Sequence, residues 1–247
     1  MKTLFIISAV MFSLLCRSAC ADEIRVAAAS NFRATLVTLS EAFERAGKHE
    51  LVLIFGSSGK HYAQIVNGAP FDVFLSADSV RPQKLEQDGL TLENSRFTYA
   101  IGRLALWSTD PERVDTNGAV LNNNNYRYLA IANPELAPYG KAALETLEAM
   151  GALEKAEHRL VRGESVGQTF QFVSSGNAEL GFIAWSQLVT TGRLDEGSHW
   201  LVPETMHRPI VQQAVALNGS QATREFLLWL QGEAARRIIQ AHGHGTP

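Results

Sequence analysis

The feature that most constrains how this chain folds is a strand–turn–helix unit that occurs four times. In each unit a short apolar segment ends in small or hydroxyl-bearing residues, and an amphipathic helical segment follows. The four turns are Ser30-Asn31, Ser57-Ser58-Gly59, Pro138-Tyr139-Gly140 and Ser165-Val166-Gly167. Short strands that alternate with helices in this way predict an α/β fold.

The distribution of these units predicts two lobes joined by two crossings of the chain. Two units lie in each half of the sequence, and the length allows two lobes of about 100 residues each. The apolar segment 99–108 can carry the chain into a second lobe, and the alternating segment 209–217 can return it. We therefore expect lobe 1 to contain residues 22–100 and 207–247, and lobe 2 to contain residues 101–206.

The first 21 residues predict a secretory signal peptide. Lys2 supplies a positive charge, an apolar run follows, and small residues form a cleavage site before Asp22. The apolar run is shorter than the ~20 residues that a membrane-spanning helix needs. Both cysteines, Cys16 and Cys20, lie in this segment, so we expect a secreted mature protein with no disulfide and no thiol.

The four turns share a chemistry that attracts anions. A helix start leaves backbone N–H groups without partners and carries about half a positive charge. The hydroxyls of Ser30 and Ser58 add donors that can point the same way. One such turn alone is an ordinary helix cap, but two in each half are what a clamp around a single anion requires.

The type of donor favours a fully deprotonated dianion. Lys60 and Lys141 each lie one residue into a helix, where we expect them to be solvated, so the donors are neutral. Phosphate carries a proton near neutral pH and needs an acceptor in its site. Asp72 and Asp78 flank the third strand and could accept, but we assign both to turns or helix caps.

Charge and motifs argue against several other classes of function. The formal net charge is −3, whereas nucleic-acid binding requires a basic face, so we expect no nucleic-acid partner. The sequence contains no G-x-S-x-G elbow, no H-E-x-x-H motif and no P-loop. A hydrolase with Ser30 or Ser58 as nucleophile stays as an alternative, although no histidine and acid partners stand out. The seven histidines are scattered, and we expect the 242–247 tail to be frayed.

Longer segments around the turns resemble the periplasmic molybdate-binding proteins. They are VAAAS at 26–30, FGSSG at 55–59, GAPFDVFLSAD at 68–78, NPELAPYG at 133–140, GESV at 163–166 and GFIA at 181–184. The resemblance implies an α/β, two-lobed periplasmic-binding-protein fold of type II with a two-stranded hinge. It further implies a periplasmic monomer that binds a molybdate or tungstate oxyanion with high affinity and delivers it to the permease of an ABC importer. Neither enzymatic activity nor a cofactor is expected.

The resemblance also implies which residues bind the anion. By match to the family's motifs they are Ser30, Asn31, Ser58, Tyr139 and Val166. The two serines are expected to bind through hydroxyl and backbone N–H, and Val166 through its N–H, with Ser57 as a further neighbour. No side chain is expected to ligate the metal directly, because it arrives as an oxyanion. Many relatives carry a tyrosine where this chain has Ala184, and Tyr139 is expected to replace it.

The nearest alternative is the same fold with another ligand, namely sulfate, phosphate or ferric iron. Iron would require several phenolates that converge, and among the tyrosines only Tyr139 lies in a cleft motif. Selectivity for molybdate over sulfate would depend on cavity size, because both dianions accept the same hydrogen bonds.

Overall fold

A computed structural model of the protein describes residues 22–47, 49–123 and 125–247. The predicted signal peptide, residues 1–21, lies outside this part of the chain. Two five-stranded sheets, each flanked by helices, form two lobes, which confirms the predicted α/β class. Among the described residues, none of the helices combines the length and the apolar character needed to cross a membrane.

The first sheet has the strand order β2-β1-β3-β10-β4. Its strands are β1 (Asp22–Ala29), β2 (His49–Gly56), β3 (Val73–Ser76), β4 (Phe97–Gly102) and β10 (Ile210–Ala216). Strand β1 pairs in parallel with β2 and β3, and β10 runs antiparallel to β3 and β4. The second half of β1, residues 26–29, is buried, as its unbroken apolar sequence VAAA predicts for an internal parallel strand. The helices of this lobe are α1 (Arg33–Arg45), α2 (Ser58–Val66), α3 (Val80–Gln87), α9 (Gln221–Leu230) and α10 (Glu233–Ala241).

The second sheet has the order β7-β6-β8-β5-β9. Its strands are β5 (Leu104–Ser108), β6 (Leu129–Ala132), β7 (Leu160–Gly163), β8 (Leu180–Ala184) and β9 (Ser198–Leu201). Strand β6 is parallel to β7 and β8, and β5 is antiparallel to β8 and β9. The helices are α4 (Val120–Asn123), α5 (Pro138–Ala149), α6 (Leu153–Ala156), α7 (Val166–Ser174) and α8 (Trp185–Thr191). Short 3-10 helices occur at Ser30–Phe32, Glu157–Arg159, Arg193–Asp195 and Glu204–Met206.

The chain passes between the sheets at two places. Strands β4 and β5 are separated by Arg103, so the segment predicted as one strand is two strands in different sheets. The return follows β9 and leads into β10, which lies beside β4. β4 and β10 therefore form a two-stranded hinge. The lobe limits at residues 100/101 and 206/207 stay a prediction.

The C-terminal region differs from expectation. Residues 222–241, whose apolar residues would fit one long helix, form two helices that are separated at Gln231 and Gly232. The tail predicted to be frayed is ordered: Gly245 and Ile101 exchange two backbone hydrogen bonds, of 2.7 and 2.9 Å. His244 is only 5% exposed, with Nε2 3.0 Å from Thr35 Oγ1. The tail is thus held by hinge strand β4 and by α1, which the local sequence does not reveal.

Candidate functional site

A small cavity lies between the two lobes. It has a volume of about 10 Å³, and two larger grooves flank it. The residues that line it are Ala29, Ser30, Asn31, Gly56, Ser57, Ser58, Ala77, Ala137, Pro138, Tyr139, Ser165 and Val166. All five predicted binding residues are brought together here. None of the described residues that line the cavity is charged.

The first turn of α2 leaves one backbone donor for the cavity. Ser57 is the N-cap, and its Oγ accepts the N–H of Lys60 at 3.4 Å. The N–H of Gly59 donates to Leu136 O in the opposite lobe at 2.8 Å. None of the described residues accepts the N–H of Ser58, which is the first residue of the helix.

The first turn of α7 repeats this arrangement from the other lobe. Its N-cap Ser165 accepts the N–H of Gln168 at 3.4 Å, and the N–H of Gly167 donates to Ser30 Oγ at 3.0 Å. The N–H of Val166, again the first helical residue, has no acceptor among the described residues. Two helix starts therefore face each other, and each has one backbone N–H without an acceptor among the described residues.

Helix α5 supplies a third start of the same kind. It begins at Pro138, which has no N–H, and Gly140 N donates to Ala137 O at 3.0 Å. Within the described chain, no acceptor pairs with the N–H of Tyr139. The partial positive charges of three helix starts therefore converge on one small cavity.

The hydroxyls of Ser30 and Ser58 are oriented by bonds that they accept. Ser58 Oγ accepts the N–H of Ala77 at 2.9 Å, and Ser30 Oγ accepts the N–H of Gly167 at 3.0 Å. A hydroxyl that accepts one hydrogen bond still has its own hydrogen to donate. Both hydroxyls can therefore donate into the cavity.

The lobes are closed around the cavity. Besides the contact of Ser30 with Gly167, Ser186 Oγ donates to Asn31 O at 3.1 Å across the boundary. Lys60, predicted to be solvated, is half-exposed and pairs with Glu164 of the other lobe at 2.8 Å. These contacts join the two lobes beside the cavity without placing a charge in its lining.

The side chain of Tyr139 is buried next to Asn31. Its side chain is fully buried, and its hydroxyl lies 3.5 Å from Asn31 Nδ2. Burial raises the pKa of Tyr139 above its usual value, so the phenol stays protonated. Ala184 is buried in the same apolar cluster as Tyr139.

The neighbouring carboxylates have structural roles, as predicted. Asp72 accepts the backbone N–H of Arg25 at 2.6 Å and bonds to Asn218. Asp78 accepts the N–H of Arg81 at 3.0 Å and pairs with its guanidinium. Neither lines the cavity, so a protonated anion would meet no carboxylate acceptor there.

The cavity also lacks the partners that a serine nucleophile needs. No histidine is among its described lining residues. Buried His61 lies beneath the FGSSG turn, with its ring nitrogens 3.1 Å from Ala28 O and 3.2 Å from Gln64 Oε1. It contacts neither Ser30 nor Ser58 by a hydrogen bond, so neither hydroxyl has the base that the hydrolase alternative requires. Among the described residues, no group of three or more His, Cys, Asp or Glu could hold a metal ion.

Comparison with known proteins agrees with this geometry. Residues 24–244 match the family of bacterial extracellular solute-binding proteins. This chain belongs to that family. It is 46% identical to the molybdate-binding protein ModA of Azotobacter vinelandii over 94% of this chain and 93% of that protein. It is 42% identical to ModA of Rhodobacter capsulatus over 92% and 90% of the two chains.

The fold of this solute-binding protein is also that of a solved relative. The periplasmic molybdate-binding protein of Azotobacter vinelandii superposes with a TM-score of 0.87 and 44% identity, covering 91% of this chain and 99% of the other. The family therefore accounts for two lobes around one cleft.

Several site residues escaped prediction. Ser165 was part of a recognised turn, and its N-cap position before an apolar helix could have identified it as a cap. Ala77 acts only through its backbone N–H, which no side-chain pattern reveals. Gly59 and Leu136 meet across the cleft, which requires both lobes to be in place.

Proposed function

We propose that this protein captures molybdate or tungstate in the interlobe cavity and delivers it, in the periplasm, to the permease of an ABC importer. The observation that carries the proposal is the convergence of three unpaired helix-start N–H groups and two oriented hydroxyls on a cavity without charged walls. The relatives that share 46% and 42% identity are named for molybdate binding, which supports this choice of oxyanion.

Capture involves no covalent chemistry. The anion enters an open cleft, bonds to Ser30, Asn31 and Ser58 of lobe 1, and is covered when lobe 2 brings Tyr139 and Val166 onto it. Each hydrogen bond to a charged acceptor contributes about 1.5–3 kcal/mol. Preorganised donors of this kind can offset the dehydration of a dianion because closure does not have to reorient them. We expect a monomer without catalytic activity, cofactor or nucleic-acid partner.

The same site argues against the rival ligands. Phosphate carries a proton near neutral pH, and the absence of a carboxylate acceptor from the described cavity lining disfavours it. Ferric iron requires several phenolates, whereas Tyr139 is the one tyrosine among the described residues that line the cavity. Sulfate accepts the same hydrogen bonds as molybdate, so the size of the closed cavity must separate these two dianions.

Calorimetric titration of residues 22–247 with molybdate, tungstate, sulfate and phosphate tests the proposal. We expect tight one-to-one binding of molybdate and tungstate, with sulfate weak or silent. The four tryptophans allow fluorescence as a second readout. Silence for all four anions would overturn the oxyanion assignment, and ferric iron would then be titrated next.

Two serines at helix starts provide a matched test of the site. We expect Ser58→Ala to weaken molybdate binding about tenfold or more, because it removes a donor to a charged acceptor. Ser220→Ala removes the cap of α9, away from the cavity, and should cost about 1 kcal/mol of stability without a change in affinity. Calorimetry and thermal unfolding separate the two effects. Equal losses of affinity in both variants would contradict the assignment of roles.

A further inference from the structure

The side chain of Asn31 is held from the hinge. Its Nδ2 donates to Gln212 Oε1 at 2.8 Å, and both side chains are buried. Gln212 lies on hinge strand β10. The register of β10 against β4 shifts there, so that Tyr99 is left as the extra residue of a β-bulge. The Tyr99 hydroxyl lies 3.1 Å from Gln212 Oε1 and 3.1 Å from Ser76 O. A bulge of this kind re-aims side chains toward a site.

This network satisfies more hydrogen bonds with both carboxamides reversed. In the present orientation Asn31 Oδ1 and Gln212 Nε2 are buried without partners among the described residues, and one Tyr99 hydrogen faces two acceptors. A half-turn of each amide lets Gln212 Nε2 donate to Asn31 Oδ1 and to the Tyr99 oxygen. Tyr99 then donates to Ser76 O alone. Asn31 Nδ2 takes the former place of Oδ1, where no described residue accepts it and an anion can, and Gln212 Oε1 stays without a partner among the described residues.

We propose that Gln212 is a positioning residue for anion capture, which orients the Asn31 carboxamide so that its N–H group faces the bound anion. The inference rests on the proposed function, because Asn31 lines the anion cavity. The hinge then contributes to binding, because Gln212 on hinge strand β10 orients one of the donors to the anion. The Tyr139 hydroxyl lies 3.5 Å from the position of Asn31 Nδ2, so with the amide reversed it can donate to Asn31 Oδ1 from lobe 2.

The first test is a double-mutant cycle on molybdate affinity. Gln212→Met keeps the volume and removes the hydrogen bonds, and we expect it to weaken binding about tenfold. Because Gln212 acts through Asn31, adding Gln212→Met to Asn31→Ala should cause no further loss. Gln213→Met is the matched control: Gln213 is next on the same strand but bonds to Arg96 and Thr98 instead, so affinity should not change.

The second test is a pH profile of Gln212→Glu. An ionised glutamate only accepts, so it holds Asn31 Nδ2 away from the anion and adds a negative charge behind it. Protonation restores a donor, so affinity should recover at least tenfold as pH falls from about 8 to about 5.5, since burial beside an anion raises a carboxyl pKa into that range. The affinity of the wild type should not change with pH over this range. Burial raises the pKa values of Tyr99 and Tyr139, and Asp78, whose charge acts on Tyr99, is paired with Arg81.

The outcomes separate this inference from the proposed function. If the wild type bound none of the four anions, both the proposed function and the role of Gln212 would be overturned. Wild-type binding with additive losses in the cycle, or a flat profile for Gln212→Glu, would overturn the role of Gln212 alone. The profile is measured within one variant, so it stays decisive even when Gln212→Met folds poorly.

Discussion

Gly59→Ala should abolish tight anion binding while leaving the lobes stable. A Cβ atom at Gly59 would lie 2.9 Å from Leu136 Cα and 3.0 Å from Leu136 O, which belong to the opposite lobe. Both neighbours are backbone atoms that cannot move aside, so the lobes would have to stay apart. The anion would then lose the N–H donors of Tyr139 and Val166. At about 1.5–3 kcal/mol for each bond, we expect affinity to fall at least 100-fold in calorimetry.

Stability should not follow affinity in this variant. Alanine is favoured over glycine inside a helix by roughly 0.5–1 kcal/mol, so the melting temperature without ligand should be unchanged or higher. Gly219→Ala is the control, because its Cβ would meet only the flexible tip of Arg224 at 3.3 Å and Leu92 at 3.7 Å. X-ray scattering should show Gly59→Ala open even with molybdate present. Wild-type affinity in this variant would show that closure does not depend on the Gly59–Leu136 contact.

The fold was predictable wherever a segment's own pattern determines its structure. The apolar runs of β1 and β2 and the helix α1 lie where periodicity predicts them. Strand β9 and helices α3 and α8 were missed. The sequence of β9, SHWL, mixes polarity as edge strands do, and α3 carries Pro82 in its first turn, which obscures its period.

The candidate site was predictable only as a set of turns. The motifs and the family resemblance pointed to Ser30, Asn31 and Ser58, and the structure brings them to one cavity. Both Ser57 and Ser58 line the cavity, and which of them caps α2 depends on the exact start of the helix. Gln212 was read as part of an alternating strand, because nothing local connects it to Asn31, 181 residues away.

Acidification should destabilise the protein through His244, the residue whose burial contradicted expectation. Burial, with a smaller contribution from His242, lowers the pKa of His244 to about 3. In the unfolded chain this pKa is about 6.5, so between these values the unfolded state binds more protons than the folded state. The stability that neutral, buried His244 contributes is fully present above about pH 6.5 and is lost as pH falls toward 3. At about pH 4 we expect this effect to lower the free energy of unfolding by on the order of 3 kcal/mol.

The His244→Gln variant isolates this effect, because glutamine can still bond to Thr35 and does not titrate. Denaturant unfolding at several pH values should show the advantage of the wild type over His244→Gln shrinking by about 3 kcal/mol between pH 7 and pH 4. His244→Asn, which does not titrate either, should show the same loss of the wild type's advantage. Gly243 packs against the indole of Trp185 in lobe 2, so early release of the tail would change tryptophan fluorescence before global unfolding. If the stability difference between His244→Gln and the wild type did not depend on pH, His244 would take up its proton as readily in the folded as in the unfolded state. Its burial against Phe32 and Thr35 argues against that outcome.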